Sequence, residues 1–288
     1  MNGMTESTIR MHFQPTNPGQ FFACCGLLEL ADRLWGGVEG WFEEDSFWLR
    51  PTRPLSNWGS TKLLDELAQC VLANGMTSSQ RNRREALSAM SKKAREADPA
   101  LEAEKKHLDA IYREAPVVLG EPFKLTLNWF LDGNAGGKDL KTWAGQQSVL
   151  DIAGDMRRLI LRDTHPQDWL FCSARADSVP FNFDSDLGST GSDLDLGFSI
   201  DPLKHTGLTT RIRPLLEFAA FIGLERFRPC KIGTDNVYQF STWCEPLLPE
   251  VAAAVTCGSV EFLKSRGFRF RLLYRTKYLK SFLPATPI

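Results

Sequence analysis

Two segments of this chain are each long enough for a helix and have almost no polar face, and a helix of that kind must be surrounded by the rest of the fold. The first runs from Pro18 to about Trp35, where Phe21, Phe22, Ala23, Cys24, Cys25, Leu27, Leu28, Leu30, Ala31 and Leu34 leave only Gln20, Glu29, Asp32 and Arg33 polar. Asn17 and Pro18 supply an N-cap and a first-turn proline, and Gly36-Gly37 a stop. The second opens at Pro214 and carries Leu215, Leu216, Phe218, Ala219, Ala220, Phe221, Ile222, Gly223 and Leu224. Ala23-x-x-Gly26-Leu27 in the first is echoed by Ala220-x-x-Gly223-Leu224 in the second. A mid-helix glycine costs about 1 kcal/mol relative to alanine, and close approach of another helix or strand offsets that cost. Two related halves and coincidence both account for the echo.

Around these helices the pattern is that of an α+β protein, with mixed sheet elements, buried apolar helices and one long charged helical segment. Ile9 to Phe13 reads as a short strand. Trp41-Phe42, the acidic turn Glu43-Glu44-Asp45 and Phe47-Trp48-Leu49 read as a hairpin. Ser60 to Leu72 is a moderately amphipathic helix, and Phe123 to Phe130 alternates best of all as a strand. Helix through Arg157-Arg158 and strand near Trp169-Leu170-Phe171 follow. The expected organisation is an N-terminal α+β part over residues 1–120, with a helical segment at 60–115, and a C-terminal α+β part over 121–288; a single domain is the alternative. At 288 residues, 43% apolar and 24% charged, the chain has the composition of an ordinary globular protein. No apolar run approaches the roughly 20 residues that span a bilayer. The N-terminus lacks the basic and then apolar order of a signal peptide. A cytoplasmic protein with no membrane partner is expected.

Charge is segregated. From Lys264 to Lys280 there are seven Lys or Arg and no acid, in a chain whose formal charge is −1. At strand period Phe268, Phe270, Leu272 and Tyr274 fall on one side, and Arg269, Arg271, Arg275 and Lys277 on the other. An edge strand carrying cations against edge-to-edge pairing is one reading. Contact with phosphates is the other, because arginine forks match phosphate oxygens and counterion release rewards clustering. Arg211, Arg213, Arg226, Arg228 and Lys231 form a second basic region. A third, residues 81–96, carries a net charge of +4 and includes Arg83 and Arg84. A charge run of this kind reads first as a solvated helical face and second as a phosphate-tracking arm.

Catalytic signatures fail on inspection. The loop Asp132-Gly133-Asn134-Ala135-Gly136-Gly137-Lys138-Asp139, followed by a helix with Lys141, Trp143, Gln146 and Gln147, imitates a phosphate loop. Its spacing is one residue short, and Asp139 stands where the magnesium-binding hydroxyl belongs. A loop delivering Asn134 and Lys138 to a groove or backbone, with Gln146 and Gln147 beyond it to read base edges and Lys141 as a further nucleic-acid contact, is one reading, and a plain turn is the other. Residues 184–195 concentrate carboxylates, yet Gly188 and Ser189 break the calcium-loop pattern. The segment reads first as an ordinary polar loop and second, through Asp184, Asp186, Asp193 and Asp195, as the carboxylates of a metal-dependent nuclease. Seven cysteines contain no C-x-x-C pair and read as reduced core thiols, and four dispersed histidines make no sequence-local zinc site. No cofactor is expected.

Several stretches then carry a likeness: Asn17-Pro18-Gly19-Gln20-Phe21-Phe22-Ala23-Cys24-Cys25-Gly26-Leu27-Leu28-Glu29-Leu30-Ala31, Lys141-Thr142-Trp143-Ala144-Gly145-Gln146, Leu194-Asp195-Leu196-Gly197-Phe198-Ser199 and Glu217 through Phe227. With them the chain resembles the small Cas proteins of type I-U (I-G) CRISPR loci, a reduced version of the large subunit of the surveillance complex. The resemblance implies a non-enzymatic cytoplasmic subunit. Its implied partners are a CRISPR guide RNA, target double-stranded DNA, backbone and guide-end Cas subunits and a recruited helicase-nuclease. Such a subunit senses the motif flanking the target in duplex DNA. No residue role is carried over from the family; the nominated positions rest on charge and placement. A metal-dependent nuclease and a structural subunit that meets only proteins are the alternatives.

Overall fold

A computed structural model of the chain describes residues 8–133, 137–144, 147–176, 179–187, 210–233, 235–258, 264–274 and 280–288. The N-terminal elements are β1 (Ile9–His12), α1 (Pro18–Trp35), β2 (Val38–Glu43), β3 (Ser46–Pro51), α2 (Ser60–Gln69) and β4 (Leu72–Asn74). Next come α3 (Ser78–Ala89), α4 (Lys92–Glu96), α5 (Pro99–Glu114), β5 (Val117–Leu119), β6 (Leu125–Leu127), α6 (Gly137–Leu140), α7 (Val149–Arg158) and β7 (Ala174–Ala176). The chain then continues through β8 (Thr210–Ile212), α8 (Pro214–Arg226), β9 (Cys230–Ile232), β10 (Val237–Trp243), α9 (Pro249–Thr256), β11 (Ser265–Tyr274), β12 (Lys280–Phe282) and β13 (Thr286–Pro287). The fold is α+β.

The two apolar helices cross each other at the echoed glycines. A Cβ on Gly26 would stand 1.9 Å from the carbonyl oxygen of Ala219, and one on Gly223 would stand 2.0 Å from that of Phe22. Each helix backbone therefore occupies the space the other's missing side chain leaves, and the glycine cost is offset by that approach. The contact is reciprocal, with equivalent positions of the two helices exchanging roles.

Aromatic rings fill the space around the crossing. Phe21 stacks on Phe240 of β10 at 4.2 Å between centroids, and Phe22 meets Phe270 of β11 at 6.2 Å. Beside α8, Phe221 stacks on Phe181 at 4.6 Å and lies 5.9 Å from both Trp129 and Phe130. The main core runs from Ile9 to Ala285 and draws on residues of both expected parts. A small separate core of Met76, Leu87, Leu108 and Ala115 serves the α3–α5 segment.

Sheet orders are β1-β3-β2, β4-β5-β6, β7-β8 and β12-β11-β10-β9, with β13 also on β11. Among the described residues every strand pair is antiparallel. Alternation marks a strand but carries nothing about the direction of its neighbour. β11 is interior, flanked by β10 on one side and by β12 and β13 on the other, so the edge-strand reading is corrected. Phe268, Phe270 and Leu272 are buried while Arg269 and Arg271 are exposed, as the alternation requires.

Four further expectations are corrected. The strand expected over 123–130 is limited to β6, and Trp129–Leu131 is a 3-10 turn. Trp129 and Phe130 are adjacent and both buried, which no strand with one buried face permits. The helix expected beyond Lys138 ends at Leu140, and Trp169 to Phe171 follow a 3-10 turn at Pro166–Asp168 instead of forming a strand. The long charged helix is three helices, α3, α4 and α5, folded back so that their opposite charges meet. Of the cysteines, Cys24, Cys25 and Cys70 are buried and Cys230 and Cys244 are exposed, all without a disulfide. Among the described residues no helix is long and apolar enough to cross a membrane.

Candidate nucleic-acid interface

The outward face of the C-terminal sheet carries two neighbouring arginines that meet no carboxylate among the described residues. Arg269 stands opposite Gln239 on β10 and Thr286 on β13, and Arg271 stands opposite Val237, which in turn pairs with Ile232 on β9. Residues two apart on one strand are spaced by about 7 Å, so the two guanidinium groups emerge side by side. Arg266 is exposed at the end of the same strand, its guanidinium 5.7 Å from the Phe268 ring centroid. Among the described residues no carboxylate bonds Arg266, Arg269 or Arg271. Arg275 and Lys277, nominated on the same alternation, lie outside the described residues, as do Asn134 and Gln146.

Most of the other nominated cations are engaged by the protein itself. Arg83 bonds Glu104 at 2.6 Å and Arg84 bonds Asp109 at 2.9 Å, which joins α3 to α5. Arg226 bonds Glu29 at 2.6 Å and Glu250 at 3.2 Å, and Arg228 bonds Asp132 at 2.9 Å. Arg213 bonds Asp184 at 3.2 Å and Asp186 at 3.0 Å, and Lys231 bonds Asp139 at 2.7 Å. The sequence reading of these six residues as phosphate grips is therefore narrowed: their charges already meet carboxylates, and Arg83 and Arg84 of the basic α3 region are paired with acids of α5. Arg211 is exposed and donates to the Ser173 hydroxyl at 2.9 and 2.7 Å.

Lys138, Lys141 and Lys231 do gather, around Asp139. Lys280 of β12, which sequence reasoning did not single out, joins them by donating from Nζ to the Asp139 carbonyl at 2.7 Å. The imitation phosphate loop has a packing cause: a Cβ on Gly137 would stand 1.7 Å from the carbonyl oxygen of Trp129.

Where α8 begins, a polar network is sealed inside the protein. Asp184, 1% exposed, accepts from Asn17 Nδ2 at 2.8 Å and from Arg213. Burial pushes its carboxyl above the usual range, against the pull of Arg213 and Asn17. Glu217 accepts the backbone N–H groups of Phe183 at 3.2 Å and Asp184 at 3.0 Å, yet full burial raises its pKa to about 8. Asp184 and Asp186 are thus committed to Arg213, and the nuclease alternative loses two of its four carboxylates to a salt bridge. Asp193 and Asp195 lie outside the described residues. Among the described residues no group of three His, Cys, Asp or Glu is placed to share a metal ion. The signal for this network was in the sequence: Glu217 is an acid inside an apolar helix, and a buried acid requires a partner or a proton.

Glu217 gives the fold a pH dependence of definite sign. Between its ordinary value near 4.5 and its folded value of about 8, the native state holds a proton that the unfolded chain has released. Stability therefore falls as pH rises through that window, and the contribution is constant above it. Glu217→Gln removes the titration but leaves one backbone N–H facing an amide donor. The variant is expected to trail the wild type at pH 5 and to close the gap by pH 9 in urea unfolding. A gap that stays constant across that range would contradict a proton on Glu217.

Comparison of the chain with protein-family models, with curated proteins and with solved structures finds no match.

Proposed function

We propose that this protein is a non-catalytic subunit of a type I CRISPR interference ribonucleoprotein, contacting guide RNA and target DNA through the outward face of β11 and its neighbours and sensing the motif that flanks the target. The resemblance in the Asn17–Ala31 and Glu217–Phe227 stretches carries the company the protein keeps. The observation that carries the contact is the contrast among its arginines: Arg83 and Arg84 of α3 and Arg226 of α8 meet carboxylates, while Arg269 and Arg271 share the exposed face of β11 without any among the described residues. In such a complex guide pairing reads the sequence, so a subunit needs to grip backbone and touch few bases.

Arg269→Gln with Arg271→Gln is expected to weaken DNA binding to a similar degree across target sequences. It should also flatten the log-log salt dependence by about 1.8, at about 0.9 per lost phosphate contact. Filter binding across a salt series on the assembled complex measures this, and an unchanged slope would refute the assignment. Co-purification of the tagged protein with neighbouring gene products, with sequencing of any bound RNA, tests the company independently. Recovery of the chain alone, free of RNA, would remove it.

A further inference from the structure

The lysines around Asp139 come from three separate parts of the chain: Lys138 and Lys141 from α6 and the residue after it, Lys231 from β9 and Lys280 from β12. Glu114 is the acid acting on Lys141 and Asp139 the acid acting on Lys280, while Lys138, Lys141 and Lys231 oppose them. Lys141 and Lys280 are half-buried without a carboxylate of their own among the described residues. Lys280 uses one of its three donors on the Asp139 carbonyl, and Lys141 lies 5.4 Å from the Trp143 ring centroid. Burial pulls both lysines below their ordinary range, the mark of ammonium groups that have lost water without gaining a full counter-charge. Two phenols complete the cluster. The Tyr238 hydroxyl is buried, has no hydrogen-bond partner among the described residues and lies within the field of Asp139 and Tyr274. Tyr274 is 41% exposed, with Lys280 Nζ 5.1 Å from its ring centroid.

We propose that this cluster is a binding site for one phosphate group, and that the Asp139 carboxylate occupies it in the unliganded protein. Asp139 sets its carboxylate on Lys231 at 2.7 Å with both side chains part-exposed, a pair that contributes little and is readily replaced. A phosphate offers more acceptors and more charge to the same donors, and to the Tyr238 O–H besides. As a phosphate of a nucleic acid the ligand rests on the function proposed above; as a phosphate site it stands without it.

Binding of two probes to the full-length protein, inorganic phosphate and a short oligothymidylate, is measured by calorimetry, with thermal melting to confirm folding. Asp139→Asn is expected to tighten binding by about fivefold, and Lys141→Gln and Lys280→Gln to weaken it by about tenfold, as the removal of one close charge of either sign predicts. Lys280→Gln is the variant at risk of unfolding, and Lys141→Gln, whose ammonium holds no carboxylate, keeps the test intact. Binding that is unchanged or weakened in Asp139→Asn, with melting preserved, overturns the proposal. A response with inorganic phosphate alone identifies a free phosphate as ligand, and a response with both probes identifies a phosphodiester. Arg269→Gln with Arg271→Gln should leave the inorganic-phosphate response untouched, so failure of the sheet face and failure of this site read separately.

Discussion

Gly26→Ala and Gly223→Ala are each expected to destabilise the protein by roughly 3 kcal/mol or more, the upper range of overpacking in a tight core. A methyl group at either site meets a backbone carbonyl at about half the normal contact distance, 1.9 Å for Gly26 and 2.0 Å for Gly223, and a carbonyl inside a helix cannot rotate away. The helices must separate, and the aromatic layer packed around them loses its fit. At about 2–4 °C per kcal/mol for a chain of this size class, the melting temperature should fall by roughly 6–12 °C. Gly154 in α7 supplies the control, since nothing stands within 4 Å of a Cβ there. Gly154→Ala is expected to gain up to about 1 kcal/mol from helix propensity alone. Thermal melting of the three variants decides the matter, and a neutral Gly26→Ala would mean that the helices do not cross at these residues.

Loss of the Arg213 guanidinium is the second large effect expected. Arg213 supplies the cation between Asp184, which is 1% exposed, and Asp186, and the removal of one partner from a buried pair costs roughly 3–5 kcal/mol. In Arg213→Met the Asp184 carboxyl, already raised by burial, rises further. Its native pKa then stands above its unfolded one, so the deficit is small at acid pH and grows as pH rises through the native value. Adding Asp184→Asn should recover much of the loss at pH 8, because an amide needs no counter-charge. Urea unfolding of both variants at pH 5 and pH 8 tests this. A deficit independent of pH and indifferent to Asp184→Asn would show that Arg213 does not serve the buried acid, and would return it to the pool of phosphate contacts.

Both predictions bear on function, because they sort the cations. Sequence alone presented three basic regions, of which residues 81–96 read first as a solvated helical face. Folding pairs Arg83 and Arg84 of α3 with Glu104 and Asp109 and ties Arg213, Arg226 and Arg228 to acids 24 or more positions away. Among the described residues Arg269 and Arg271 on the β11 face stay exposed and unmatched, as do Arg81 and Lys93 outside it, and Lys280 converges on Asp139.

The local devices were legible from the residues themselves. Asn17 caps α1 by accepting from Gln20, prolines open α1 and α8, and Phe268, Phe270 and Leu272 turn inward while Arg269 and Arg271 turn out. These follow from rules that act over one to four positions along the chain, such as capping, helical periodicity and pleat. Trp129 to Leu131 escaped those rules because Glu225, 96 positions away, takes the Trp129 N–H and draws the segment out of strand geometry. Partnership at that range follows from no local pattern. Which acid meets which arginine, why both echoed glycines are needed at once, and where four lysines gather are facts of distance in space. Local chemistry selected the elements of this protein, and only their packing decided which charges were left for something else to meet.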